Sequence, residues 1–156
     1  MGIEYQNNTF KVKEILKDKA IQFLNEAGGE VEAQVKRNSR VDMGQTKGSW
    51  KYVVDESNMK VTIGSPLENA LWEEFGTGEY ALEGKGRNTP WFIPVDDYDG
   101  TKVPTFNGEV VIVYGKGGKA FYKTDGKKPN RALQRAMEKA VPKLEKRLGQ
   151  IMKEGN

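Results

Sequence analysis

Two long amphipathic stretches bracket this chain, and they constrain its fold more than anything between them. From Phe10 to Lys36, the residues Val12, Ile15, Leu16, Ala20, Phe23, Leu24, Ala27, Val31 and Val35 recur at three- and four-residue steps, so one face is apolar. Lys11, Lys13, Lys17, Asp18 and Gln22 take the other face, and Thr9 is placed to cap the start. A second stripe runs from Pro129 to Met152 through Ala132, Leu133, Ala136, Met137, Ala140, Leu144, Leu148 and Ile151. Gly28-Gly29 in the first stretch predicts a kink, and Pro142 in the second predicts a bend.

Between the helices the periodicity changes. Tyr52–Val54 and Val61–Ile63 flank a polar Asp55–Asn58 turn, the pattern of a hairpin. Pro66 opens a short helix, where Leu71 and Phe75 are expected to pin its end to the sheet, and Gly76-Thr77-Gly78 stops it. Short strands follow at Trp91–Ile93, Val110–Tyr114 and Ala120–Tyr122. The expected fold is α+β: two long helices and one short helix packed on a small, mostly antiparallel β-sheet. One domain over residues 1–156 is expected, with an N-terminal helix over 10–36, a sheet with an inserted mobile loop over 50–124, and a C-terminal helix over 129–152. No apolar run approaches the roughly 20 residues of a bilayer span, so no membrane partner is expected.

The chemistry open to the chain is narrow. It holds no His and no Cys, which removes Ser-His-Asp triads, Cys-His dyads, disulfides and most transition-metal sites. Gly115-Lys116-Gly117-Gly118-Lys119-Ala120 lacks the spacing of a phosphate loop and leads into a strand, so it reads as a hairpin turn. Glu73 and Glu74, about 100° apart on a helix, cannot both face one cleft. They and Asp96-Asp97 read as exposed acidic faces. No catalytic residue, metal or cofactor is expected, and the chain reads as a non-enzyme.

The charges are segregated. The net charge is only +3, but residues 127–156 carry nine basic and three acidic side chains, and residues 65–100 carry two basic and eight acidic ones. Such patches orient head-to-tail contacts between copies, and Arg131, Arg135 and Lys139 are the candidates on the basic side. The alternative is a small nucleic-acid-binding module using the basic C-terminal helix, although no stacking platform accompanies it. The glycine-rich stretch from Gly76 to Asn88 is expected to be mobile and to bind a partner through Tyr80, Leu82 and Arg87. Deleting Glu79–Arg87 is expected to spare the fold. Val41–Ser49 and Gly115–Lys119 are further contact segments.

Three short motifs stand in order along the chain. Val41-Asp42-Met43-Gly44 with Ser49 comes first; Ala70 to Thr77, containing Glu74, Phe75 and Gly76, comes second; Pro129 to Ala136, containing Leu133, opens the last helix. With a long amphipathic helix on either side, they resemble the head–tail joining proteins of tailed bacteriophages, also called neck, tail-completion or minor capsid proteins. Met43 stands where that family usually has Thr, and Arg131-Ala132-Leu133 where Pro-Phe-Leu is common. The resemblance implies a structural virion assembly protein of a phage or prophage, forming a ring that joins head and tail. It implies other head-completion and tail proteins as partners, DNA passing through the ring without sequence-specific binding, and a place at the head–tail junction after assembly in the host cytoplasm. For the motif residues themselves the side chains suggest core, turn and capping duties.

Overall fold

The computed structural model describes residues 8–40, 44–100 and 102–153. Helix α1 spans Thr9–Asn38 and α4 spans Ala132–Lys153. Between them lie a five-residue helix α2 (Gln45–Ser49), strands β1 (Lys51–Asp55) and β2 (Lys60–Gly64), and helix α3 (Glu68–Phe75). Strands β3 (Trp91–Pro94), β4 (Val111–Tyr114) and β5 (Ala120–Thr124) complete the order. The α+β class is as the sequence indicates.

α1 and α4 run antiparallel. Asn38 meets Ala132 at one end, Glu30 and Glu26 meet Lys143 and Arg147 midway, and Lys19 reaches the carbonyl of Ile151 at the other end. The seam is built from small residues: Ala132, Ala136 and Ala140, one turn apart on α4, pack with Val31 and Val35 of α1. Trp50 and Ala70 join this cluster, and Ile63, Leu133 and Leu144 border it. The Trp50 indole N–H donates to the Ser39 hydroxyl at 3.1 Å, so its one polar atom is satisfied inside the core.

Gly28-Gly29 does not break α1, which runs through both residues. The glycine serves a close approach instead. A Cβ on Gly28 would lie 2.3 Å from Cδ2 of Tyr52, because the β1–β2 hairpin lies against α1 at that point. The hairpin is antiparallel with Tyr52 opposite Ile63, and the Asp55 carboxylate closes its turn by accepting from Ser57 and Asn58. α4 likewise continues through Pro142, which stands exposed.

Two sheets form where one is expected. β1–β2 pairs only with itself, and β3, β5 and β4 make a separate antiparallel sheet in the order β3-β5-β4. The segment from α3 to Gly84 separates β2 from β3 and is tied to residues 125–127, so β3 starts away from the hairpin. The short helix also begins two residues later than Pro66 suggests, and its apolar side is not the buried one. Leu71 and Phe75 are 59% and 50% exposed, while Ala70, Glu73 and Glu74 are buried. They therefore do not pin the helix to a sheet. No helix among the described residues is long and apolar enough to cross a membrane.

Candidate functional site

The buried carboxylates of Glu73 and Glu74 are the most organised polar feature of the molecule, which corrects their reading as an exposed acidic face. The 100° between them sends each to a different partner. Glu74 points at the start of α4, where Oε2 accepts the Leu133 N–H at 2.8 Å and Oε1 the Gln134 N–H at 3.0 Å. These are donors that the first turn of a helix cannot satisfy internally, and the acid also suits the positive end of the helix dipole. Glu73 accepts the backbone N–H of Arg40 and the Asn130 side-chain amide, and its own carbonyl accepts the Asn130 N–H at 2.7 Å.

Asn130 carries the network to the end of α1. Its amide donates to the carbonyl of Asn38 at 2.8 Å, and the Arg135 guanidinium donates both to that carbonyl and to Asn130 Oδ1. A cation at the last carbonyls of α1 is favourably placed against its dipole. The end of α1, the end of α3 and the start of α4 are thus one clasp, built from side chains more than 90 residues apart in the chain.

Behind the clasp, two backbone segments lie against each other. Gly76, at φ 76, leaves α3, and Thr77 exchanges bonds with Lys127, N–H to carbonyl at 2.9 Å and Lys127 N–H to the threonine hydroxyl at 3.0 Å. A Cβ on Gly78 would lie 2.0 Å from the carbonyl oxygen of Asp125, and one on Gly126 would lie 2.1 Å from that of Thr77. Only glycine fits at this crossing. Tyr80 donates its hydroxyl to Asp125 at 3.1 Å, and the Lys128 ammonium lies over its ring. Burial first, and then the Asp125 carboxylate, push the Tyr80 phenol above its ordinary value. Burial opposes ionisation of Asp125, but the Asn107 N–H and the Tyr80 hydroxyl outweigh it and hold that carboxyl low.

The motif residues therefore have structural places. Gly44 precedes α2 in the left-handed region, Ser49 bonds the carbonyl of Thr46 and the hydroxyl of Ser65, and Ala70 and Ala136 are core. Gly76, Thr77 and Pro129 sit at the crossing, with Pro129 Cδ 2.9 Å from where a Gly76 Cβ would stand. Helix α4 begins at Ala132, beyond Pro129, and Arg131 precedes it with φ 53. Val41 and Asp42 lie outside the described residues. Phe75 is the exception among the motif residues, being half-exposed.

The candidate partner contacts are scattered. Leu82 lies half-buried in a 3-10 turn (Leu82–Gly84), and Arg87 is exposed, bonding Thr89 with its guanidinium 6.0 Å from the Trp91 ring. The stretch from Gly76 to Asn88, expected to be mobile, is held by backbone bonds at its first half and carries two 3-10 turns. Gly115–Lys119 is the β4–β5 turn, closed by Gly115 N–H to the Lys119 carbonyl. Arg131 and Lys139 are exposed, but Arg135 is engaged in the clasp. Lys143 and Arg147 pair with Glu30 and Glu26 of α1, so part of the charge segregation is used inside the molecule.

Sequence reasoning missed Glu73, Asn130, Asp125 and Trp50. Only the first carried a signal, since two adjacent acids between the apolar Ala70-Leu71-Trp72 and Phe75 are costly to bury unless they are bonded. Among the described residues no group of three or more acidic side chains is placed to hold a metal ion.

Residues 4–76 match the model of the HK97-gp10-like family, whose description is "Bacteriophage HK97-gp10, putative tail-component". The match bears out the resemblance to tailed-phage head–tail and tail-completion proteins, and it runs from α1 through Glu74, Phe75 and Gly76. Thr77, Pro129, Leu133 and Ala136 lie beyond it. No curated protein and no solved structure matches the chain.

Proposed function

We propose that this chain is a structural virion protein of a tailed phage or prophage, joining head and tail as a ring in the neck or tail-completion position. The observation that carries the reading is the family match over residues 4–76, which is a match to tail components. The clasp supports it: Glu73 and Glu74 are engaged in holding three helix ends together, which suits a rigid binding body. The protein works by binding and not by catalysis. Its partners are further copies of itself and other head-completion and tail proteins, with DNA passing through unread.

Complementation is the test. Phage or prophage particles lacking this chain are expected to accumulate as separate filled heads and tails, and adding the purified protein is expected to join them. Joining that proceeds without the chain would overturn the reading. Charge pairing between copies is tested by reversing Arg131 and Lys139 together to Glu, leaving the engaged Arg135 alone. The ring is expected to weaken in a salt-dependent way, and an unchanged ring would remove charge pairing from the account.

A further inference from the structure

Two uncovered apolar surfaces lie at opposite ends of the α1–α4 pair. The first is the start of α1. Among the described residues, α4 meets α1 at Lys19, which bonds the carbonyl of Ile151, and residues 9–18 are exposed. Residues 9–18 extend beyond that point by about 15 Å, at about 1.5 Å per residue. The stripe that is buried further along the helix continues onto this extension, where Val12, Ile15 and Leu16 are 52%, 50% and 45% exposed. The second surface is an open groove of about 530 Å³ between α3 and α4, lined by Trp50, Leu67, Leu71, Phe75, Leu133 and Met137. It lies beside the first turns of α4, which pair with the far end of α1.

We propose that Val12, Ile15 and Leu16 of one copy seat in the α3–α4 groove of a second copy of this chain, a contact that deepens the ring reading and rests on it. A straight helix cannot fold back over the roughly 30 Å to its own groove, so the occupant is another molecule. Residues spaced i, i+3 and i+4 on one helix face are the pattern by which an amphipathic helix enters an apolar groove. A second copy is the occupant that covers both surfaces with one contact. The charges also match in sign: residues 9–18 carry Lys11, Lys13 and Lys17 against Glu14 and Asp18, a small positive excess, while Glu68 adjoins Leu67 and Glu138 bonds the groove residue Gln134. The contact joins different patches on the two copies, so it repeats head to tail and closes into a ring when the rotation permits.

The test uses the full chain in sedimentation and light scattering. Ile15→Glu disables the extension and Leu71→Glu disables the groove; both side chains are exposed, so the melting temperature of each variant is expected to stay within a few degrees of the parent. The parent is expected to assemble and each variant to need at least tenfold higher concentration. An equimolar mixture is expected to give dimers that grow no further, because one variant keeps its groove and the other its extension. The chain holds no Cys, so Ile15→Cys and Met137→Cys copies, mixed and oxidised, are expected to form a disulfide-linked heterodimer in preference to either homodimer, and this readout holds even if a glutamate variant fails to fold. Parent-like assembly of both glutamate variants would overturn the contact and leave the ring standing. Loss of assembly in Ile15→Glu alone would overturn it in favour of two α1 extensions pairing with each other. A parent chain that stays monomeric at millimolar concentration overturns self-docking, and the ring reading then answers separately to the joining assay.

Discussion

Glu74 holds the start of a helix that begins 58 residues later, its Oε2 accepting the Leu133 N–H at 2.8 Å while its other oxygen takes the N–H of Gln134. A cap is ordinarily supplied by the residue just before the helix. Here that place is held by Arg131, in a left-handed conformation and with no acceptor on its side chain, and the acid comes from α3. The cap therefore fixes tertiary structure as well as helix length.

Removing it is expected to cost more than an ordinary cap. Glu74→Ala leaves two donors unbonded in a part-buried place, at up to about 1–3 kcal/mol, the range for a buried group left unsatisfied. For a chain of this size each kcal/mol lowers the melting temperature by about 2–4 °C. Glu74→Gln keeps one carbonyl acceptor and is expected to lose less than Glu74→Ala. Thermal melts followed by circular dichroism order the two, and equal stability of Glu74→Ala with the parent would mean that the cap contributes nothing.

The two glycines in α1 are expected to respond oppositely. Gly29→Ala meets nothing within 4 Å and is expected to stabilise the helix by up to about 1 kcal/mol. Gly28→Ala gains the same propensity but drives a Cβ to 2.3 Å from Tyr52 Cδ2 and 2.6 Å from Cγ, at the rigid base of the ring. Overpacking of this kind costs about 1–3 kcal/mol, so the sign is expected to be destabilising. Urea midpoints of the two variants decide it, and stabilisation by both would mean that the hairpin yields.

That contrast also shows where the sequence stops being legible. The stripes of α1 and α4, the β1–β2 hairpin and the Gly115–Lys119 turn follow from local periodicity and turn chemistry, and they stand near the expected places. Gly28 was ambiguous because helix weakness and close approach leave the same mark, and only the position of Tyr52 separates them. Glu73 and Glu74 were misread because an acid is exposed by default, and their partners Asn130, Leu133 and Gln134 are distant in sequence. The split into two sheets depends on the crossing of residues 76–78 with residues 125–127, a contact between glycines that no side-chain pattern announces.

Acid is expected to loosen the α1–α4 pair. The Arg147 guanidinium, followed by Gln22, holds the Glu26 carboxyl below its ordinary range, and Lys36 does the same for Glu32. Asp55, bonded by Asn58 and Ser57 in the hairpin turn, is lowered to about 2. A carboxyl with a depressed folded value binds its proton more readily when unfolded, so its contribution is full above the unfolded value near 4.3 for Glu and 3.9 for Asp. The contribution is lost as pH falls through the folded value. Urea midpoints are expected to be flat from pH 7 to about 5 and to drop below it. Arg147→Leu is expected to flatten part of that drop, and an identical slope in the variant would remove Glu26 as a source.

The stretch between Thr77 and Asn88 is expected to divide into a structural half and a binding half. Deleting Glu79–Arg87, expected from the sequence to spare the fold, removes the Tyr80–Asp125 bond, the Glu79 N–H to Asp125 carbonyl bond, and Gly86, which fits against the Gly78 carbonyl only for want of a Cβ. The deletion is therefore expected to destabilise the chain. Tyr80→Phe alone leaves the Asp125 carboxylate short of one donor and is expected to cost about 1 kcal/mol, in the ordinary range for a lost hydrogen bond. Lys85 and Arg87 are different: both are exposed, Lys85 pairs with nearby Glu83 at the surface, and substitutions at such positions usually stay within about 0.5 kcal/mol. Arg87→Ala is thus expected to melt like the parent yet reduce head–tail joining, since an exposed Arg beside Trp91 is the kind of residue that anchors an interface. Trypsin is expected to cut the free chain after Lys85 and Arg87 and to spare both bonds in assembled particles. Cutting that is equally fast in the particle, together with normal joining by Arg87→Ala, would show that this half faces solvent and binds nothing.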